Sequence, residues 1–332
     1  MEEKAEPQKI EYFHPMFHRR IFADLIDALL MLTLAILLFV GFRAALLASP
    51  ESQMRSKRME ENRSESGLYV ESDGQFSLLS AYYPGNSDTL SSQEVMNKYE
   101  EGLTKFFTFL GGKVSSEAQN TVEADYNGFR LSLRYDDVPY FVESGGAISK
   151  NSAATMTYQQ YSDNVYRPYY SDHAEGYFTV YAPHFVEDTR YFSFYLVLIE
   201  VPCAVFVASV LVFFVPPLFF KRGRQTLGKA LYKIGRVDSR FLSVKLGRYC
   251  GESAILIFAI VLFSLVSFGI PLLISFSLMA FSKKRQDFPD YMLGIEEVDL
   301  TDSKIYHCLE EAELELEHQK TAHVDFRAEE KP

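Results

Sequence analysis

IFADLIDALLMLTLAILLFVGFRAALLA, residues 21–48, decides what kind of protein this is. The hydrocarbon core of a bilayer is about 30 Å thick and takes about 20 apolar residues wound as helix. This run is longer than that, and it lacks the polar stripe that a helix on a soluble core turns to water. Two further runs match it in length and character, Tyr191 to Phe220 and Gly251 to Phe281. The remainder of the chain is polar or acidic. The expected fold class is therefore an α-helical integral membrane bundle carrying a small α+β domain. The bundle would hold two long transmembrane helices and a short transmembrane or re-entrant helical hairpin.

Ala45-Leu-Leu-Ala48 looks like a signal-peptide cleavage site. The leader is too long for one and carries acids, so the run reads as a retained span. The net charge of −11 argues against nucleic acid as a partner. None of the three cysteines, Cys203, Cys250 and Cys308, falls between Pro50 and Arg190. That segment has to fold by packing alone, without a disulfide.

Arginine and lysine in short flanking loops set orientation, basic side inward. Arg19 and Arg20 precede the first run, Lys221, Arg222 and Arg224 follow the second, and Lys283, Lys284 and Arg285 follow the third. All three clusters belong in the cytoplasm. A single crossing by the third run would leave the last cluster outside. Gly269 and Pro271 interrupt that run, and a fold-back there returns the chain to the inner face. The alternative is one long tilted helix kinked at Pro271, with the tail outside.

The resulting division is a cytoplasmic N-terminus (1–20), a first span (21–48), an extracytoplasmic α+β domain (49–190) and a second span (191–220). A basic cytoplasmic loop (221–250), a hairpin (251–282) and a cytoplasmic acidic tail (283–332) complete the chain. Within the outer domain, Pro50 to Ser66 reads as a charged stalk. Ser91 to Leu110 reads as an amphipathic helix opened by a Ser91/Glu94 capping box and stopped by Gly111-Gly112. Thr121 to Tyr135 reads as a hairpin turning at Asn127-Gly128, and Tyr177 to Phe185 as a strand. Ser144 to Asp172 reads as a polar loop, or as a binding loop with aromatic contacts. Lys221 to Arg248 is helix-sized. In the tail, Thr301 to Lys320 reads as a helix capped by Asp302, with Ile305, Cys308, Leu309, Ala312 and Leu316 as its stripe.

Charge inside a span is costly, on the order of 3 kcal/mol at mid-bilayer, so each such residue is a candidate. Arg20, Asp24 and Asp27 fall on one helical face, which predicts an Arg20–Asp24 pair and leaves Asp27 to find a partner on another helix. Glu200 sits near mid-membrane, and Pro202 just after it frees a backbone carbonyl one turn earlier. That combination suits a proton or small cation; an interhelical hydrogen bond is the plainer reading. Glu252 lies one turn after Arg248, which predicts a pair between them. His14 and His18 are one turn apart with no third metal ligand nearby in sequence. Gly223 to Lys229 lacks the strand-loop-helix setting of a phosphate loop. With no nucleophile motif either, no enzyme activity and no cofactor are expected.

Arg20-Ile-Phe-Ala-Asp-Leu-Ile-Asp27 resembles the opening signature of the RDD family of bacterial membrane proteins, an arginine followed seven residues later by an aspartate. Gln225-Thr-Leu-Gly-Lys229 followed by Ile234 to Val237 is similar to the family's second signature, with Arg224 in place of the usual glycine. Arg248 matches the arginine opening the next helix. Arg285 to Gly294 resembles the closing signature, with Pro289 where a histidine is usual and Ile295 where a threonine is usual. The resemblance leaves out Pro50 to Arg190 and the tail. It implies a membrane protein of the bacterial cytoplasmic membrane, sodium/proton antiport in some members, and functional roles for Arg20, Asp27 and Asp290. Together with the polar residues above, the expected ion-pathway or interhelical cluster is Arg20, Asp24, Asp27, Glu200, Lys229, Arg248, Glu252 and Asp290. Transport is one expectation, with a proton or sodium ion as cargo and a homo-oligomer as the working form. The other is a membrane-anchored scaffold or sensor whose outer domain binds a ligand or envelope protein.

Overall fold

The computed structural model describes residues 12–83, 90–135, 137–281, 286–301 and 304–315. Two compact units divide the chain. Unit 1 comprises Met1–Ala44 and Leu196–Pro332; unit 2 is the continuous stretch Ala45–Tyr195.

Unit 1 is built on helices with an inverted pattern of burial. In helix Phe17–Leu47 the buried side chains are Arg20, Ala23, Asp27 and Ala35. Leu25, Leu29, Leu32, Ile36 and Leu37 of the same helix are exposed. In water this arrangement would be unstable; with lipid as solvent it places the charges where other protein groups can satisfy them. Continuous helical stretches Phe185–Phe219 and Leu246–Val266 are likewise long and apolar enough to cross a membrane. Phe185–Phe219 carries a π-helical turn, Tyr195–Glu200, just ahead of Pro202. Proline has no N–H to donate, so the carbonyl a turn earlier is released and the ladder widens there. After Leu246–Val266 the chain turns through Phe268 and Gly269, both at positive φ. Helix Ile270–Phe281 then packs back against Ile255–Leu262.

Two strands close unit 1. Ile234–Asp238 pairs antiparallel with Ile295–Asp299, Ile234 opposite Asp299 and Asp238 opposite Ile295. The segment after the second span and the segment after Ile270–Phe281 thereby lie side by side. The basic, helix-sized segment Lys221 to Arg248 holds a short helix Leu227–Leu231 and this strand, and its end opens helix Leu246–Ala254. Its residues have to serve a sheet and a helix cap, which a single helix cannot provide. Helix Phe288–Leu293 is capped by the Asp287 side chain and ended by Gly294 in the left-handed conformation. In the tail, helix covers 309–315. Ile305 and Ala312 are buried, but Cys308 and Leu309 of the expected stripe are exposed. Lys283–Arg285, Asp302 and the tail from Leu316 onward lie outside the described residues.

Unit 2 packs around helix Ser92–Phe109, whose Val95, Met96, Tyr99, Leu103 and Phe106 form the buried stripe. The Ser91/Glu94 capping box is present. Gly111-Gly112 does not end the helix; the chain continues through a π-helical turn, Leu110–Val114, and stops at extended Ser115. Pro50–Ser66 is a helix capped by Ser49 and by Gly67 at positive φ. Thr121 to Tyr135 is not a hairpin, because Ser116–Ser132 is helical. Ser115 caps it, and Ala118, Val122 and Tyr126, four residues apart, line its buried face. Asn127-Gly128 is a strong local turn signal, but tertiary packing of that face overrides it. Tyr177 to Phe185 is not a strand: helix Glu175–Tyr181 ends at extended Ala182, and Phe185 opens the next helix, Phe185–Phe194.

Ser144 to Asp172 is only partly loop. Ala147–Lys150 completes a hairpin with Phe141–Ser144, and the rest becomes helical from Tyr158. Its tyrosines are core: Tyr161, Tyr166, Tyr169 and Tyr170 are buried. The Tyr170 hydroxyl donates to the Tyr99 carbonyl at 2.8 Å, and the Tyr169 hydroxyl to the Val122 carbonyl at 3.3 Å. A core without disulfides is thus assembled from aromatic rings whose polar ends find partners.

Candidate functional site

The polar residues of unit 1 converge where helix Phe17–Leu47 meets helix Leu227–Leu231 and the strand pair. Thr226 caps Leu227–Leu231, its hydroxyl accepting from the Lys229 N–H. The same hydroxyl donates to Asp27, and the Gly228 N–H donates to the other Asp27 oxygen at 2.7 Å. A helix N-terminus with a free N–H suits a carboxylate. Glycine is required at 228, since a Cβ there would stand 2.1 Å from the Ala23 carbonyl oxygen.

One turn on, the Lys229 ammonium sits 2.5 Å from Glu297 and 3.9 Å from half-exposed Asp24. Arg20 also pairs with Glu297. Two cations on different elements therefore share one carboxylate on strand Ile295–Asp299. Arg236, on the partner strand, reaches Glu252 at 2.5 Å. All of these except Asp24 are buried.

Asp290 completes the group. It is fully buried, and neither carboxylate oxygen has a hydrogen-bond donor among the described residues.

Electrostatics divides the acids outside the spans. Burial would push Glu297 up, but Lys229 and Arg20 overcome it and bring the carboxyl down to about 2. Burial and the neighbouring Arg236 would lower the Lys229 ammonium; Glu297, with Asp24 and Asp290, more than offsets them and holds it above its usual range. Asp290 moves the opposite way from Glu297. Burial, then the charges of Asp287 and Glu252, push it well above the ordinary carboxylate range. The surroundings thus favour the charged form of Glu297 and the protonated form of Asp290.

The predicted residues fall into three groups. Arg20, Asp24, Asp27, Lys229, Glu252 and Asp290 come together. Glu200 does not: it pairs with Arg43 at 3.3 Å. Arg43 is sixteen residues from Asp27 on one helix, about 24 Å along the axis. The released carbonyl near Pro202 is thus not its counterpart; an arginine is. Arg248 stays partly exposed, 4.0 Å from Asp238. Both predicted local pairs are replaced, Arg20–Asp24 by Arg20–Glu297 and Arg248–Glu252 by Arg236–Glu252. Spacing along a helix makes such pairs possible, but a buried partner on a strand is held in place with less loss of side-chain freedom.

Thr226, Arg236 and Glu297 were not predicted as site residues. Thr226 and Arg236 lie within the stretch that resembles the family's second signature; for Glu297 the only sequence signal is demand, since Arg20 and Lys229 each needed an opposite charge nearby. His14 contacts the Glu297 carbonyl at 3.1 Å, and no group able to hold a metal ion occurs among the described residues.

The RDD family model matches residues 177–294, so the chain carries an RDD family domain there. With its three apolar spanning-length helices, it is a membrane protein. The matched stretch contains Thr226, Lys229, Arg236, Glu252 and Asp290, and stops short of Glu297; Arg20 and Asp27 lie before it. No curated protein and no solved structure matches the chain.

Proposed function

We propose that unit 1 moves protons in exchange for small cations such as sodium across the bacterial cytoplasmic membrane, with Asp290 as the exchanging carboxylate. The observation that carries this reading is a fully buried acid with no donor among the described residues, beside arginines and lysine already committed to Glu297 and Glu252. Such a group can hold a proton in one state and a cation in the next, because either removes its unpaired charge. The threading that goes with it puts the basic flanks, and the strand pair joined to them, in the cytoplasm. Residues 49–190 are then outside, and two copies of the chain enclose the path.

The test is proton flux in vesicles reconstituted with the full chain, with and without sodium. Asp290→Asn should insert normally and lose sodium-dependent flux. Flux unchanged in that variant, or absent from the unaltered protein, would count against the proposal.

One observation favours a scaffold or sensor instead: unit 2 has an extensive core of its own. Deleting Val70 to Val180 separates the two, since exchange should survive and sensing should not.

A further inference from the structure

Unit 2 holds a cavity of about 380 Å³ beside helix Ser92–Phe109. That volume falls within the usual range for small-ligand sites, roughly 300–1,000 Å³. One side is apolar, with Phe107, Phe141 and Ile148. The other is charged, with Arg130, Lys150 and Glu100.

The charges do not cancel. Glu100 is already neutralised, taking the Lys150 ammonium at 2.8 Å and the Tyr166 hydroxyl. Arg130 has no carboxylate partner among the described residues. Its guanidinium lies 4.4 Å over the Tyr126 ring and 5.5 Å over Phe141, and one nitrogen donates to Asn127. Its Nε is buried without a hydrogen-bond partner. Aromatic faces hold a guanidinium flat and leave its edge to a planar anion, the arrangement that favours arginine over lysine for carboxylates. Elsewhere in the unit, Arg55 and Arg58 share Asp188, and Arg167 takes Asp163.

We propose that this cavity binds an organic monocarboxylate: the carboxylate against the Arg130 side and an apolar or aromatic body between Phe107 and Phe141. The source is either a free small acid or the C-terminus of a peptide. The inference is independent of transport by unit 1.

The experiment is calorimetric titration of the full chain in lipid nanodiscs with 3-phenylpropionate, its amide, and the tripeptide Gly-Ala-Phe with a free or an amidated terminus. A charge-assisted contact predicts that one or both acids bind about tenfold or more tighter than the matching amide. Arg130→Gln should bring acid affinity down to that of the amide, while amide binding persists and reports an intact fold. The acid–amide comparison on the unaltered protein stands even if the variant misfolds. Tighter binding of the free tripeptide than of 3-phenylpropionate assigns the site to peptide termini; the reverse assigns it to small acids. Equal affinity for acid and amide, binding of none of the four, or full acid affinity in a folded Arg130→Gln variant overturns the proposal.

Discussion

Replacing Gly228 with alanine adds one methyl group at the closest contact in the charge cluster. The new Cβ would stand 2.1 Å from the Ala23 carbonyl oxygen and 3.0 Å from the Asp27 carboxyl carbon. The first contact is with backbone, so no side chain can swing aside. Helix Leu227–Leu231 must retreat from helix Phe17–Leu47, which stretches the 2.7 Å bond from the Gly228 N–H to Asp27. Losing a buried bond to a charged group costs about 1.5–3 kcal/mol, and overpacking adds roughly 1–3 kcal/mol. We expect a total on the order of 4 kcal/mol. Gly247→Ala is the internal control: a Cβ there meets nothing within 4 Å, and an alanine in a helix is neutral or slightly stabilising. Thermal unfolding of both variants in detergent decides the matter. Gly228→Ala should melt about 10 °C or more below the unaltered protein, and Gly247→Ala at or above it. A Gly228→Ala protein that melts with its control would refute the close packing of the loop on Asp27.

The pH dependence of stability should carry the opposed signatures of Asp290 and Glu297. Asp290 has a raised pKa in the folded state, so between the unfolded value of 3.8 and its folded value the native protein holds the extra proton. Stability from this residue falls as pH rises through that window, and melting curves of Asp290→Asn taken from acid to alkaline pH should be flatter. Glu297, brought down to about 2, stabilises the fold above the unfolded pKa of 4.5 and loses that contribution as pH falls toward 2. Glu297→Gln strips the shared anion from Arg20 and Lys229, and should cost about 3–5 kcal/mol; adding Lys229→Met should recover part of the loss in a double-mutant denaturation cycle. Asp188→Asn removes the buried acceptor of both Arg55 and Arg58, and with those arginines partly exposed the cost is about 2 kcal/mol. Faster proteolysis within helix Pro50–Ser66 would report it. Single cysteines at Gly74 and Thr301 should label from opposite sides of intact cells, and labelling from one side would sink the threading.

Hydropathy alone determined the spans. A run of apolar side chains is a local, one-dimensional property, and no tertiary partner can change its cost in water or its stability in lipid. Local chemistry also fixed the Ser91/Glu94 capping box, because both partners lie within one turn. It failed at Asn127-Gly128, where the turn signal lost to a stripe of Ala118, Val122 and Tyr126 facing the core of unit 2. The tyrosines between Tyr161 and Tyr170 read as a polar loop for a similar reason: a phenol's burial depends on what its hydroxyl can reach. In the charge cluster, the sequence supplied the members on helices but paired them with their helical neighbours. Strand Ile295–Asp299 decided otherwise by bringing Glu297 between Arg20 and Lys229, residues 277 and 68 positions away. Coulomb energy depends on distance in space and on burial, and neither is written in the spacing of residues along the chain.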